Sequence, residues 1–303
     1  MSGKPVRRQK LTEDLTSLGV PKGGLLLVHS SLRSIGYVEG GAQAVVGALL
    51  DSLGPEGTLM VPTFTFPYRN PDFVFDPHET LSCMGAISEA ARRHPEAHRS
   101  IDLQHSYAAI GPLADAIIES ARSAWGPDSP LVQLIRRGGM VLLLGVTYMS
   151  MTLVHQCEVL LGVPYRPTTR ITGQLRESDG SVVSLTNMAT HPAPGHPGSD
   201  YNRLGQRLED AGKAKTGLVG NAVARLLYAC DVFELAKTLY REDSKGFLKQ
   251  NSVLTQLRVA ISIETPKGVI CVSDPSRIYN PYPGVKSEKE YDEAQQKGSA
   301  EHL

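Results

Sequence analysis

The sequence carries no excess of either charge: Lys plus Arg number 31 and Asp plus Glu number 31, for a formal net charge of zero. Such a chain has no long-range field to draw in nucleic acid or an anionic membrane, so any anionic ligand must be held by local donors. Cysteine is scarce. Cys83, Cys157, Cys230 and Cys271 form no CxxC pair, and the chain is too large to need a disulfide scaffold. They read as reduced core thiols. No apolar run approaches the roughly 20 residues that cross a bilayer. The opening MSGKPVRRQK is basic without an apolar stretch behind it, which is not the pattern of a secretion signal. A cytoplasmic location is the expectation. Also missing are GxGxxG, GxxxxGK[ST] and GxSxG, which counts against dinucleotide, P-loop and serine-hydrolase chemistry.

What is present is ordinary globular material, 41% hydrophobic in 303 residues. The chain shows no internal repeat. Residues 1–285 read as one large domain, with a polar tail over 286–303. Gly24–Ser30, Thr58–Phe64 and Gly139–Val146 are short continuous apolar runs, the signature of strands buried on both faces. Helical spacing follows at Gly41–Leu53, Met84–His94, Leu113–Ala124, Leu131–Arg137 and Thr152–Leu161. Residues 11–19 predict a further helix capped by Thr12. Strands and helices in alternation predict an α/β fold, a mixed α/β/α sheet. Beyond Pro164, antiparallel hairpins are added: Thr169–Arg176 with Ser181–Asn187 across Asp179-Gly180, and Leu257–Glu264 with Val269–Ser273. Leu218–Arg225 and Asp231–Tyr240 predict helices.

Three segments carry chemistry. His29, Ser30, Ser31, Leu32, Arg33 and Ser34 follow a buried strand, where hydroxyls, backbone N–H groups and one guanidinium suit a phosphate. The same residues also suit a plain Ser-rich turn. In Thr152–Glu158, helical phase puts His155 and Glu158 on one face, and a carboxylate so placed fixes the tautomer of an imidazole base. A surface His–Glu pair has the same spacing. His105-Ser106 precedes an apolar strand as His29-Ser30 ends one, so the two pairs could converge across a crevice or be unrelated core residues. His94-Pro-Glu-Ala-His98 has its Glu one position late for a zinc site, and Pro95 breaks the helix such a site needs. His191 and His196 lack a third ligand of fixed spacing. No metal is expected.

In order along the chain, VHSSLRSIGYVEGGAQAVVGALL, GPEGTLMVPTFT, FDP at Phe75–Pro77, MGAISEAARRHPEAHRS, HSYAAIGPLAD, SPLVQLIRRGGMVLLLGV and TLVHQCEVLLGVPYR, with a fainter SDYNRLGQRL, resemble the antibiotic N-acetyltransferase family, whose best-known members are aminoglycoside 3-N-acetyltransferases. The resemblance implies acetyl-CoA as co-substrate and a small-molecule amine as acceptor. It implies that the Ser30–Ser34 turn holds the CoA pyrophosphate, that His29 and His105-Ser106 lie near the thioester and pantetheine, and that His155 is the general base oriented by Glu158. Ser106 or backbone N–H groups would stabilise the oxyanion. Asp76 and Asp200 are candidate substrate carboxylates. Two departures stand out. Where aminoglycoside-modifying members read Arg-Ser-x-His-Pro, this chain has Arg99-Ser100-Ile101-Asp102-Leu103. Where they carry several carboxylates after the hairpin, it has Asp200. Rival expectations are acyl transfer to a hydroxyl or to water in the same site, or CoA or antibiotic binding without catalysis. Neither nucleic acid nor membrane is an expected partner, and a homodimer is left open.

Overall fold

Short continuous apolar runs, whose side chains leave the strand to both faces in turn, decide the architecture. The computed structural model describes residues 5–66, 70, 72–118, 123–250, 261–265 and 268–272. Its strands are β1 Leu25–Ser30, β2 Thr58–Pro62, β3 Val74–Phe75, β4 Ala97–Arg99, β5 Tyr107–Ile110, β6 Met140–Leu144, β7 Thr168–Arg176, β8 Val182–Thr190, β9 Ala214–Val219, β10 Ala222–Tyr228, β11 Ile261–Thr265 and β12 Gly268–Val272. The helices are α1 Arg8–Leu18, α2 Leu32–Ile35, α3 Gly41–Leu53, α4 Ala86–Arg92, α5 Ala114–Ile118, α6 Pro130–Arg136, α7 Leu153–Leu161, α8 Asn202–Asp210 and α9 Ala229–Glu242. Seven strands form one mixed sheet in the order β4-β5-β2-β1-β6-β10-β9. At its centre β1 runs parallel to both β2 and β6, with Ser30 opposite Leu144. The outer pairings are antiparallel.

Successive side chains of a strand leave opposite faces, so each central strand serves two cores. Leu26, Val28, Leu142 and Leu144 pack with Leu11, Val45 and Leu49 under α1 and α3. Leu25, Leu27, Val141 and Leu143 pack with Leu134, Val154 and Ala236 under α6, α7 and α9. Both sets are buried, and truncating a fully buried Leu27 to Ala would cost about 2–5 kcal/mol. This is the mixed α/β/α sheet that the alternation predicts. The hairpin β7–β8 turns at Gly180, whose φ is +86°, and joins β3 in a separate three-stranded sheet. β11 and β12 form the expected C-terminal antiparallel pair. The boundary at residue 285 and the tail 286–303 lie outside the described residues.

Two predicted elements differ. Helix α1 starts at Arg8 rather than Leu11, and Thr12 sits inside it, its hydroxyl donating to the Arg8 carbonyl at 3.1 Å instead of capping. The predicted helix Leu218–Arg225 is the turn and second strand of the β9–β10 hairpin. Gly220, at φ +59°, and Asn221 make its turn. The run Ala222–Leu227 is buried throughout because β10 has a core on each side, and such a run lacks the alternation that marks a strand.

Candidate active site

The carboxyl ends of β1 and β6 lie side by side, and the two chemistry-bearing segments leave from there. After β1 the chain turns at once. Ser31 N–H donates to the Leu144 carbonyl at 2.9 Å, and the Ser34 hydroxyl lies 2.8 Å from Ser31 Oγ and 3.0 Å from the Gly145 carbonyl. Gly145 permits this closure: its φ is +72°, and a Cβ there would lie 2.5 Å from Ser34 Cβ. Ser31 caps the short α2, and Ile35 drops into the core beneath α1 and α3. Arg33 is exposed.

After β6 the chain passes through a single 3-10 turn, Tyr148–Ser150, and enters α7 on the other face of the sheet. Three residues apart on that helix, His155 and Glu158 meet: Nδ1 of the imidazole is 2.9 Å from Glu158 Oε2. The carboxylate is wholly buried, and the His155 side chain is 26% exposed. Arg166 Nε lies 2.8 Å from the same oxygen, completing an ion pair. The Tyr201 hydroxyl donates to Glu158 Oε2 at 3.1 Å and sits 2.9 Å from His155 Nδ1. Arg166 reaches back to the Ser199 and Tyr201 hydroxyls at 3.2 and 3.3 Å. A proton on Nδ1 therefore has acceptors waiting, which leaves Nε2 as the basic nitrogen. Burial lowers the His155 pKa below its ordinary value. The Glu158 bond opposes that shift and Arg166 adds to it. The ring is thus neutral at neutral pH.

Edge-to-face rings wall the imidazole. Tyr201 is 5.1 Å and Trp125 6.1 Å from it, centroid to centroid. His105 stacks edge-on to Trp125 at 5.0 Å, and Phe64 to His105 at 4.8 Å. Burial drives the pKa of His105 down to about 3, and the nearby Arg166 guanidinium pushes the same way. His29 is also brought down to about 3 by burial. It sits on the same alternation as Leu25 and Leu27, so it faces the α7 side. His29 Nε2, His105 Nδ1 and Trp125 Nε1 are buried without a hydrogen-bond partner. Buried polar atoms left open in this way are what a polar ligand or bridging water would satisfy.

The remaining predicted residues fall as follows. Ser30, half-buried, ends β1 on the face opposite His29. Leu32 is half-buried within α2. Ser106 is buried: its hydroxyl donates to the Thr63 carbonyl at 2.8 Å and accepts from Arg99 Nε at 3.1 Å. It acts as a link between β2 and β5, with its proton directed at main chain. Asp200 sits one residue before Tyr201 and accepts from Asn202 N–H at 3.2 Å. Asp76 is elsewhere engaged, accepting from His78 and Glu79 N–H and pairing with Arg176 at 3.6 Å. Tyr201, Arg166 and Trp125 went unread in the sequence, although Arg166 closes the VPYR segment and Tyr201 lies in SDYNRL. No group of three or more metal-binding side chains occurs among the described residues, and no described helix is long and apolar enough to cross a membrane.

Comparison with known proteins places these features. A family model described as aminoglycoside 3-N-acetyltransferase matches residues 27–241. Aminoglycoside N(3)-acetyltransferase IX of Micromonospora chalcea is 34% identical over 268 residues, covering 78% of this chain and 93% of its own. The crystal structure of YokD from Bacillus subtilis superposes with a TM-score of 0.71 at 28% identity, covering 80% of this chain and 96% of that one. A histidine-to-alanine variant of aminoglycoside acetyltransferase AAC(3)-IVa, solved with apramycin, superposes with a TM-score of 0.68 at 31% identity, covering 80% and 95%.

Proposed function

The chain belongs to the aminoglycoside 3-N-acetyltransferase family, and from that premise we propose that it transfers an acetyl group from acetyl-CoA directly to an amine of a small molecule, with His155 as general base. The carrying observation is the His155–Glu158 pair at 2.9 Å, its carboxylate buried and fixed by Arg166 and Tyr201, at the sheet end where β1 and β6 deliver the serine turn.

The neutral acceptor amine attacks the thioester carbonyl as His155 Nε2 takes its proton. The tetrahedral oxyanion collapses, the C–S bond breaks, and the CoA thiolate leaves and is protonated by the imidazolium. The products are the N-acetyl amide and free CoA thiol. A positioned base of this kind contributes roughly 100- to 10,000-fold. Glu158 holds the proton of the resting ring on Nδ1 and stabilises the imidazolium as it forms. Trp125 Nε1–H, buried without a hydrogen-bond partner on a ring that packs edge-on to this imidazole, is the donor assigned to the oxyanion. The serine turn offers a pyrophosphate the Ser30 hydroxyl, the Leu32 and Arg33 N–H groups that open α2 and the Arg33 guanidinium. Asp200, one residue before the Tyr201 that contacts the imidazole, is the carboxylate assigned to the acceptor amine.

The test is thiol release from acetyl-CoA across aminoglycosides and small natural amines, with and without His155→Ala. Amine-dependent release that His155→Ala abolishes while acetyl-CoA still binds is expected. Equal release without any amine would reassign the site to hydrolysis. Full turnover by His155→Ala would remove the base from the mechanism.

A further inference from the structure

Asp102 is a carboxylate with 2% exposure and no cation paired to it among the described residues. Its partners are three main-chain N–H groups. Oδ1 accepts from Gln104 at 3.0 Å and His105 at 2.7 Å, and Oδ2 accepts from Ala124 at 3.0 Å. A buried anion satisfied by N–H dipoles alone is costly to keep and strongly directional. Here each bond is aimed at a residue whose neighbour or own ring walls the base. His105 bears the ring 5.0 Å from Trp125, and Ala124 immediately precedes Trp125, whose ring is 6.1 Å from His155. One side chain thus hydrogen-bonds the main chain of both the 102–105 turn and the 123–125 turn. The position is also one where the chain departs from the Arg-Ser-x-His-Pro pattern of aminoglycoside-modifying relatives.

We propose that Asp102 is a positioning residue for acetyl transfer: by clamping the His105 and Ala124 main chains with its two oxygens, it sets the rings of His105 and Trp125 that wall the His155 base. The proposal rests on the acetyltransferase reading for its kinetic part alone. It can be read directly by optics, because Trp125 is the one tryptophan in the chain, so selectively excited indole emission reports this wall.

Two variants divide the clamp. Asp102→Asn keeps the shape but replaces one acceptor oxygen with an NH2 donor that opposes a backbone N–H. Asp102→Ser keeps a short acceptor able to hold the local turn to residues 104 and 105, but it cannot reach Ala124. Asp179→Asn, at the exposed hairpin tip, is the control. Both Asp102 variants are expected to fold, with Trp125 emission shifted to the red and more readily quenched by acrylamide. For both, kcat should fall about 10- to 100-fold, the scale of loss that follows a slight misplacement of groups around a reacting centre. KM for acetyl-CoA should stay at the control value. The proposal is overturned if folded variants keep wild-type emission and quenching, if kcat falls without an optical change, or if kcat holds despite one. It is also overturned if neither variant folds, because Asp102 would then be a general stabiliser. A wild-type protein inert toward every amine would refute the acetyltransferase reading instead, and the emission data would still decide whether Asp102 sets the wall.

Discussion

Replacing Glu158 with Gln tests stability and chemistry on separate scales. The wild-type carboxylate is fully buried and serves three partners through Oε2: Arg166 Nε at 2.8 Å, His155 Nδ1 at 2.9 Å and the Tyr201 hydroxyl at 3.1 Å. Arg166 is itself only 7% exposed, so neutralising residue 158 strands a buried cation. Breaking a buried pair from one side costs about 3–5 kcal/mol, readable as a fall in Tm. The chemistry suffers differently. A Gln amide that turns its NH2 toward Nδ1 reverses the tautomer and puts the proton on the nitrogen meant to be basic. The wrong tautomer in an analogous hydrolase triad costs about 10,000-fold in kcat, or about 5.4 kcal/mol of barrier at 1.36 kcal/mol per decade. The companion variant is Glu158→Gln combined with Arg166→Met, which removes the stranded charge while keeping the stem. Scanning calorimetry and thiol release are run on all three proteins. The double variant should recover most of the lost Tm and none of the lost turnover. If Glu158→Gln keeps kcat within about threefold of wild type, or if the double variant recovers turnover with stability, the carboxylate is a structural ion-pair partner and the dyad reasoning fails.

Other expectations follow from single contacts. Tyr201→Phe removes one hydroxyl from the Glu158–His155 couple and should lower Tm by the equivalent of about 1 kcal/mol; an unchanged pH–rate profile would show that the hydroxyl does not tune the base. In the proposed mechanism the active form of His155 is neutral, and burial lowers its pKa, so the acid limb of kcat against pH should fall below the ordinary histidine value of 6.5; a limb above 6.5 would contradict that reading. His29 and His105, held to about 3 in the fold, take up protons near 6.5 only when unfolded. Folding stability is therefore full above pH 6.5 and falls as pH drops toward 3. By pH 5.5 the loss is about 1.4 kcal/mol for each histidine, and chemical denaturation at pH 7.5 and 5.5 should show a smaller loss in His29→Gln. Gly205→Ala would place a Cβ 2.0 Å from Tyr148 Cδ2, so α8 must shift, at about 1–3 kcal/mol. Because α8 begins directly after Tyr201, kcat should fall along with Tm.

Residues close in sequence were legible and residues joined only by the fold were not. The runs at 25–30, 58–62 and 140–144 read as buried strands because a parallel sheet covered on both faces leaves no polar stripe to confuse them. The same property hid β10, whose Ala222–Leu227 stretch carries neither a helical nor an alternating pattern; the Gly220-Asn221 turn was the available signal. His155 and Glu158 were legible because one helical turn fixes their geometry. Tyr201 and Arg166, 46 and 11 positions from His155 in number, share no periodicity with it and meet it only through the packing of α8 and the chain after α7. Ser106 illustrates the converse. A hydroxyl beside a histidine invites a catalytic reading, but the Thr63 carbonyl and Arg99 across the strand pair claim it.

The serine turn and the imidazole leave neighbouring strands toward opposite sides of the sheet, Ile35 toward the α1–α3 core and Val154 toward the α6–α9 core. Under the proposed roles, a donor gripped at one and attacked at the other would have to drape over the rim between them. The rim would then work as a ruler: a thioester on a short carrier could not span it, and one on a long flexible arm could, so selection for the carrier would be imposed by reach before any group on the acyl chain is sensed.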